Sequence, residues 1–144
     1  MGHRQQVRER QDRLEALYVL RHCERHELRA LAEVAVERPF AEREVVCRTG
    51  DPAEEVYFIT RGHLGVVSGG DLVATLAPGA IAGELGPLGP AVRCADLVGL
   101  TAGEALAVPA TALRRMLCES PGLRRAVTPV LAQRAEENER RTVV

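Results

Sequence analysis

Residues 40–108 constrain the fold more than any other part of the chain. Short runs rich in Val and Ile are cut there by Gly, Pro and Asp: EVVCRTGD, EVYFITRG, HLGVVSGGDLVATLAPG, ADLVGLTAG and EALAVP. Apolar runs this brief, with turn residues every ~8–12 positions, read as strands of an all-β sandwich, barrel or jelly roll. The SGGD between LGVV and LVATL predicts a hairpin turn with Gly at the positive-φ positions. Aromatic residues make up 3% of the chain and Trp is absent, so the core has to be aliphatic. At 144 residues the chain has the length of one domain with a real core.

The flanks change period. Residues 4–38 contain neither Pro nor Gly, and Leu14, Leu17, Tyr18 and then Leu28, Leu31, Ala32, Ala35 recur at three-to-four spacing. That predicts two helices with a break near Cys23 to His26, ended by Pro39. Residues 109–141 return to helix. Pro109 opens a segment with Leu113, Met116 and Leu117 inward, and Pro129 kinks or restarts the next one, with Thr128 as N-cap. Gln133–Arg141 is mostly charged, which suits solvent or a partner. The expected organisation is a helical extension over 1–16 and a domain over 17–141. The latter comprises helices over 17–38, a β-roll over 40–108 and C-terminal helices over 109–141. The fold class is mainly β with flanking helices: a jelly roll (double-stranded β-helix) with N-terminal helices and two C-terminal helices.

Charge and chemistry exclude several functions. Net charge is −1, and the Arg pairs 114–115, 124–125 and 140–141 are interleaved with acids, so no basic stripe for nucleic acid forms. No apolar run approaches a membrane span. The four cysteines, Cys23, Cys47, Cys94 and Cys118, show no metal-like spacing and read as free thiols in a reducing cytoplasm. His22 and His26 have the spacing of a two-His metal face, but no third ligand is evident and a solvated helix face is the simpler reading. No nucleophile sits beside a base, and His63 is the only His in the β region, so no enzyme chemistry is expected.

One stretch does not fit a plain scaffold. GELGPLGPAVRCA, from Gly83 to Ala95, places a lone acid, Glu84, and a lone base, Arg93, on either side of a Gly-Pro turn. Between Gly62 and Gly103 the only other charged residues are Asp71 and Asp96. From spacing alone the pair reads as a surface ion pair of small worth.

The surrounding motifs add to this. EVVCRTGDPAEEVYFITRGHLGV resembles the first half of the cyclic nucleotide-binding domain: a Gly-Asp turn, a Tyr-Phe-Ile strand, and a Gly turn into the next strand. GELGPLGPAVRCA resembles that family's phosphate-binding cassette, in which Gly-Glu-Leu is followed by a short loop and Arg-x-Ala. The resemblance covers roughly Leu17 to Arg141. It implies that Arg93 takes the cyclic phosphate, Glu84 the ribose hydroxyl, and the main-chain N–H groups of Gly86 and Cys94 complete the cradle. Gly83, Leu85 and Ala95 fall in the same cassette, and Asn138 falls near the place from which some members reach the base. A solvated helix end is the other reading of Asn138. The implied ligand is cyclic AMP, with cyclic GMP the second candidate. The implied role is a cytoplasmic sensor whose C-terminal helices move and whose last helix meets a partner protein or a second copy.

Departures from the family pattern are specific. Ala82 replaces an aromatic residue, two Gly and two Pro fill the short cassette helix, and Asp96 adds a carboxylate whose distance from the ligand the sequence leaves open. Cys94 reads as a small buried residue. These departures motivate an alternative, a degenerate β-roll that binds no nucleotide and serves as a dimerisation or docking scaffold.

Overall fold

The computed structural model describes residues 2–83 and 92–130. Strand β3 (Glu55–Arg61) and strand β8 (Gly103–Pro109) form its centre, paired antiparallel from Glu55↔Pro109 to Arg61↔Glu104. Their apolar residues run without interruption because both faces are covered. Val56, Phe58, Leu106 and Val108 point into one cluster with the helices; Tyr57, Ile59, Ala105 and Ala107 point into a second cluster between the sheets. The period-two alternation of a strand thus sorts one sequence into two cores.

The remaining strands are β1 (Val36–Phe40), β2 (Val45–Cys47), β4 (Leu64–Ser68), β5 (Asp71–Leu76), β6 (Ile81–Ala82) and β7 (Asp96–Gly99). They complete two four-stranded antiparallel sheets, ordered β1-β8-β3-β6 and β2-β7-β4-β5. Phe40, Cys47, Leu64, Leu76 and Leu97 fill the space between them. The hairpin expected at SGGD is present: Ser68 pairs with Asp71, and Gly69 (φ 60°) and Gly70 (φ 86°) take the left-handed conformation that a two-residue turn needs.

Helices cover the outer face of the β1-β8-β3-β6 sheet. Helix α1 (His3–Glu15) buries Val7, Arg10 and Leu14; α2 (Arg25–Val34) buries Glu27, Leu28, Leu31 and Ala32. Helix α3 (Ala110–Glu119) buries Ala110, Leu113 and Met116, and a second C-terminal helix, α4, is described over 121–130. All four contribute to the outer cluster. Arg10 fastens α1 in place: its Nε donates to the Ala32 carbonyl at 2.8 Å and its Nη1 to Glu37 at 3.2 Å. Arg13 pairs with Glu37 and Glu104. Residues 1–16 are thus a separate segment of chain but not a separate core, since Val7 and Leu14 pack with Leu31 and Phe58.

Three helix boundaries differ from expectation. The helical reading over 17–38 stops at Val34; Ala35 is extended (ψ 150°), and Val36–Phe40 pairs with β8 instead. β-Branched Val36 favours the strand, and Pro39, which has no N–H to give, is tolerated because β1 is an edge strand. The break between the first helices spans Glu15 to Arg25, with one 3-10 turn at Tyr18–Leu20, rather than falling only near Cys23 to His26. Thr128 does not cap a new helix: it and Pro129 lie inside the run 121–130, which starts with Pro121 at its first helical position. Asn138 and the charged Gln133–Arg141 lie outside the described residues.

Phe58 is fully buried in the central strand. Phe58→Ala is expected to lower unfolding free energy by about 3–5 kcal/mol in urea titration. Leu72→Ala, at a site 56% exposed on edge strand β5, should change it by no more than about 0.5 kcal/mol.

Candidate functional site

Arg93 is fixed by its backbone before its side chain is considered. Val92 bridges Pro52, the Arg93 amide donates to the Asp51 carbonyl at 2.7 Å, and the Arg93 carbonyl accepts from the Gly50 amide at 2.8 Å. The turn after β2 therefore holds Arg93 at the end of the roll. Its side chain enters the protein and the residue is 5% exposed. Nη2 donates to the Glu55 carbonyl at 2.6 Å, and the guanidinium carbon stands 5.4 Å from the centre of the Tyr57 ring.

Two guanidinium nitrogens are left over. Among the described residues, Nε and Nη1 of Arg93 are the only buried side-chain nitrogen or oxygen atoms without a hydrogen-bond partner. No carboxylate among those residues pairs with Arg93, whereas Arg10, Arg13, Arg25, Arg29 and Arg38 each have an acid. A guanidinium stays charged, and leaving a buried charge without a counterion is unfavourable by several kcal/mol. The arrangement can bind an anion, and a phosphate with several acceptor oxygens matches its free N–H groups.

Gly83 completes the near wall. Its φ is +109°, and a Cβ there would stand 2.8 Å from Arg93 Nη1 and 2.9 Å from the Glu55 carbonyl. Only glycine lets this backbone lie against the guanidinium. The structure therefore brings together Gly83 and Arg93, two residues ten apart in sequence that the cassette motif had linked. Ala95 is buried. Glu84, Leu85 and Gly86 lie outside the described residues.

Cys94 is exposed, not buried. It belongs to a bend that precedes β7, where the chain has not yet entered the sheet. Asp96 is bonded to the turn after β2. Its Oδ1 accepts from the Thr49 amide at 2.6 Å and from the Thr49 hydroxyl at 2.9 Å. These two bonds, the amide first, hold its carboxyl below the ordinary aspartate value. The carboxylate is spent on the turn after β2, and among the described residues no ion pair links it to Arg93.

Glu55 and Tyr57 were not legible as site residues. The alternation of β3 turns Tyr57 toward the inner cluster, but nothing local to EVYFITR tells that Arg93 will arrive there. Cys47 is also close enough to feel the charge: burial raises its pKa, and Arg93 partly opposes the rise. Tyr57 shows the same pattern, raised by burial and then by Glu55, with Arg93 acting in the opposite sense.

The model of the cyclic nucleotide-binding domain family matches residues 37–120. A search among curated proteins finds no match. Similar solved structures include the regulatory subunit of a cAMP-independent protein kinase A from Trypanosoma brucei, with TM-score 0.82 and 20% identity over 97% of this chain and 50% of that one. The corresponding subunit from Trypanosoma cruzi, bound to guanosine, has TM-score 0.81 and 18% identity over 99% of this chain and 52% of that one. The regulatory domain of Toxoplasma gondii protein kinase A with cAMP has TM-score 0.75 and 16% identity over 93% and 51%. At these identities the likeness is one of fold. The chain spans about half the length of these three proteins.

The Asp96 assignment makes a prediction. Its carboxyl should titrate below the ordinary value of about 3.9, read by NMR of the side-chain carbon. A depressed folded-state pKa stabilises above the unfolded value and is lost as pH falls through the folded one. Thr49→Ala keeps the amide and removes the hydroxyl, so the midpoint should return part of the way; an unmoved midpoint would place Asp96 elsewhere.

Proposed function

The chain belongs to the cyclic nucleotide-binding domain family, and from that premise we propose that it is a non-enzymatic cytoplasmic sensor that binds cyclic AMP in preference to cyclic GMP. The observation that carries the reading is the buried Arg93 guanidinium, with two nitrogens that have no partner among the described residues, lying against a glycine that admits close approach. Arg93 takes the cyclic phosphate. Glu84 takes the ribose hydroxyl, Gly86 and Cys94 offer main-chain N–H groups, and Leu85 and Ala95 flank them. Exposure of Cys94 suits an amide open to a ligand. Asp96 is hydrogen-bonded to Thr49, and among the described residues it forms no ion pair with Arg93.

The response runs to the C-terminal helices. Glu55 gives its carbonyl to Arg93, and the preceding residue, Glu54, gives its carbonyl to the Ala110 amide at 2.8 Å, at the start of α3. A phosphate that competes for the guanidinium loosens the first of these adjacent bonds and disturbs the second. Pro129, inside the helical run to 130, removes one helical hydrogen bond and serves as the hinge. The moved helix, carrying Asn138 toward the base, presents a surface to a partner protein or a second copy. Such a shift requires that the nucleotide bind the two helix positions with different affinity.

A second reading is a nucleoside without phosphate, favoured by the guanosine bound to the Trypanosoma cruzi relative. Calorimetric titration separates the two. Cyclic AMP should bind more tightly than cyclic GMP or guanosine, and Arg93→Ala should weaken it by about 30- to 1,000-fold, the equivalent of ~2–4 kcal/mol. Guanosine binding that equals cyclic AMP and ignores Arg93→Ala would establish the nucleoside reading. No heat from any of them would leave the scaffold role.

A further inference from the structure

Glu27 is a carboxylate in the wrong place for its charge. It is 6% exposed, inside the helix cluster on the outer face of the sheet, the opposite face from Tyr57 and Arg93. No cation forms an ion pair with it among the described residues. Its partners are backbone amides from the starts of two helices. Oε1 accepts from Glu24 N at 2.9 Å, at the N-cap of its own helix α2. Oε2 accepts from Gly122 N at 3.0 Å, in the first turn of α4. Both helices direct their positive dipole ends at the same group.

The surroundings agree that it is charged there. Burial alone would raise its pKa, but the amides of Glu24, Gly122 and Leu123, with His26 nearby, hold it below the usual carboxylate value. The neighbouring Cys23 thiol is pushed up to about 11, first by burial and then by the negative charge of Glu27. Gly122 is shaped to the contact. A Cβ on it would stand 2.5 Å from Glu27 Oε1, 2.6 Å from the His22 carbonyl and 3.0 Å from the Cys23 Cα. Here the missing side chain lets the first turn of α4 press against the turn before α2.

We infer that Glu27 is a positioning residue for the C-terminal helix: its carboxylate joins the first turns of α2 and α4, sets where α4 docks, and through that docking adjusts nucleotide affinity at Arg93. The second half rests on the sensor reading, because only a helix that takes part in the response can pass a change back to the site. The joint is specific to two atoms and one glycine, so it can be broken from either side. Glu27→Gln keeps the shape and leaves one acceptor where there were two. Gly122→Ala keeps the charge and forces the two helix starts apart.

The test is amide hydrogen exchange in the nucleotide-free chain, comparing the 121–130 helix with β3 and β8 in the same molecules. Glu27→Gln should speed exchange in that helix by about 10- to 100-fold, the loss expected for a charge-assisted hydrogen bond, with β3 and β8 unchanged. Gly122→Ala should do the same, although helix propensity alone would slow exchange there. Unchanged exchange in both variants, or equal loosening of β3 and β8, overturns the inference by making Glu27 an ordinary core group. Cyclic AMP titration then reads the coupling. Both variants should change affinity by about threefold or more in the same direction, and the double variant should change it no further. A loosened helix with wild-type affinity overturns the link to the site. If the wild-type chain binds no cyclic AMP, the sensor reading fails and the exchange comparison alone decides the docking role.

Discussion

Burial of β3 and β8 on both faces is the constraint on which the other parts depend. A strand exposed on one face needs one apolar set; these two need one for each face, and they have it in Val56, Phe58, Leu106, Val108 and in Tyr57, Ile59, Ala105, Ala107. The first set requires a layer of helices, and the chain supplies helices before and after its strands. The second requires an opposing sheet, and the small side chains of Ala105 and Ala107 let it approach. The central sheet thereby separates the Tyr57 and Arg93 side from the helix side.

Among the described residues the Arg93 guanidinium is the exception in this interior. The other buried side-chain polar atoms among the described residues have partners: Arg10 has a carbonyl and an acid, and Glu27 has backbone amides. Arg93 is given one carbonyl and one aromatic face, and two of its nitrogens have no partner among the described residues. Folding stability is reduced by such a group, and a ligand that satisfies it recovers what was lost. Backbone bonds to Gly50 and Asp51 hold the residue in place.

Much of this was legible in the sequence, for identifiable reasons. The hairpin at Gly69–Gly70 is set by local backbone chemistry, and so it was found where expected. The pairing of Gly83 with Arg93 followed from the cassette motif, a pattern within one short stretch. What escaped was long-range. Val36–Phe40 continues a segment free of Gly and follows a helix, and only pairing with β8, nearly seventy residues later in the chain, makes it a strand. The sequence left the place of Asp96 open; its partner, Thr49, lies far away in the chain. Cys94 looked buried by size, but it lies in a bend ahead of the strand. Gly122 carried no signal at all, since its reason is a carboxylate contributed by α2.

The central claim is that Arg93 meets a phosphate, and the group can be watched directly. The Nε–H resonance of Arg93, assigned by its loss in Arg93→Lys, should move when cyclic AMP is added and stay in place when adenosine is added at equal occupancy. A resonance that ignores cyclic AMP while the nucleotide binds, or that moves equally with adenosine, would contradict the account.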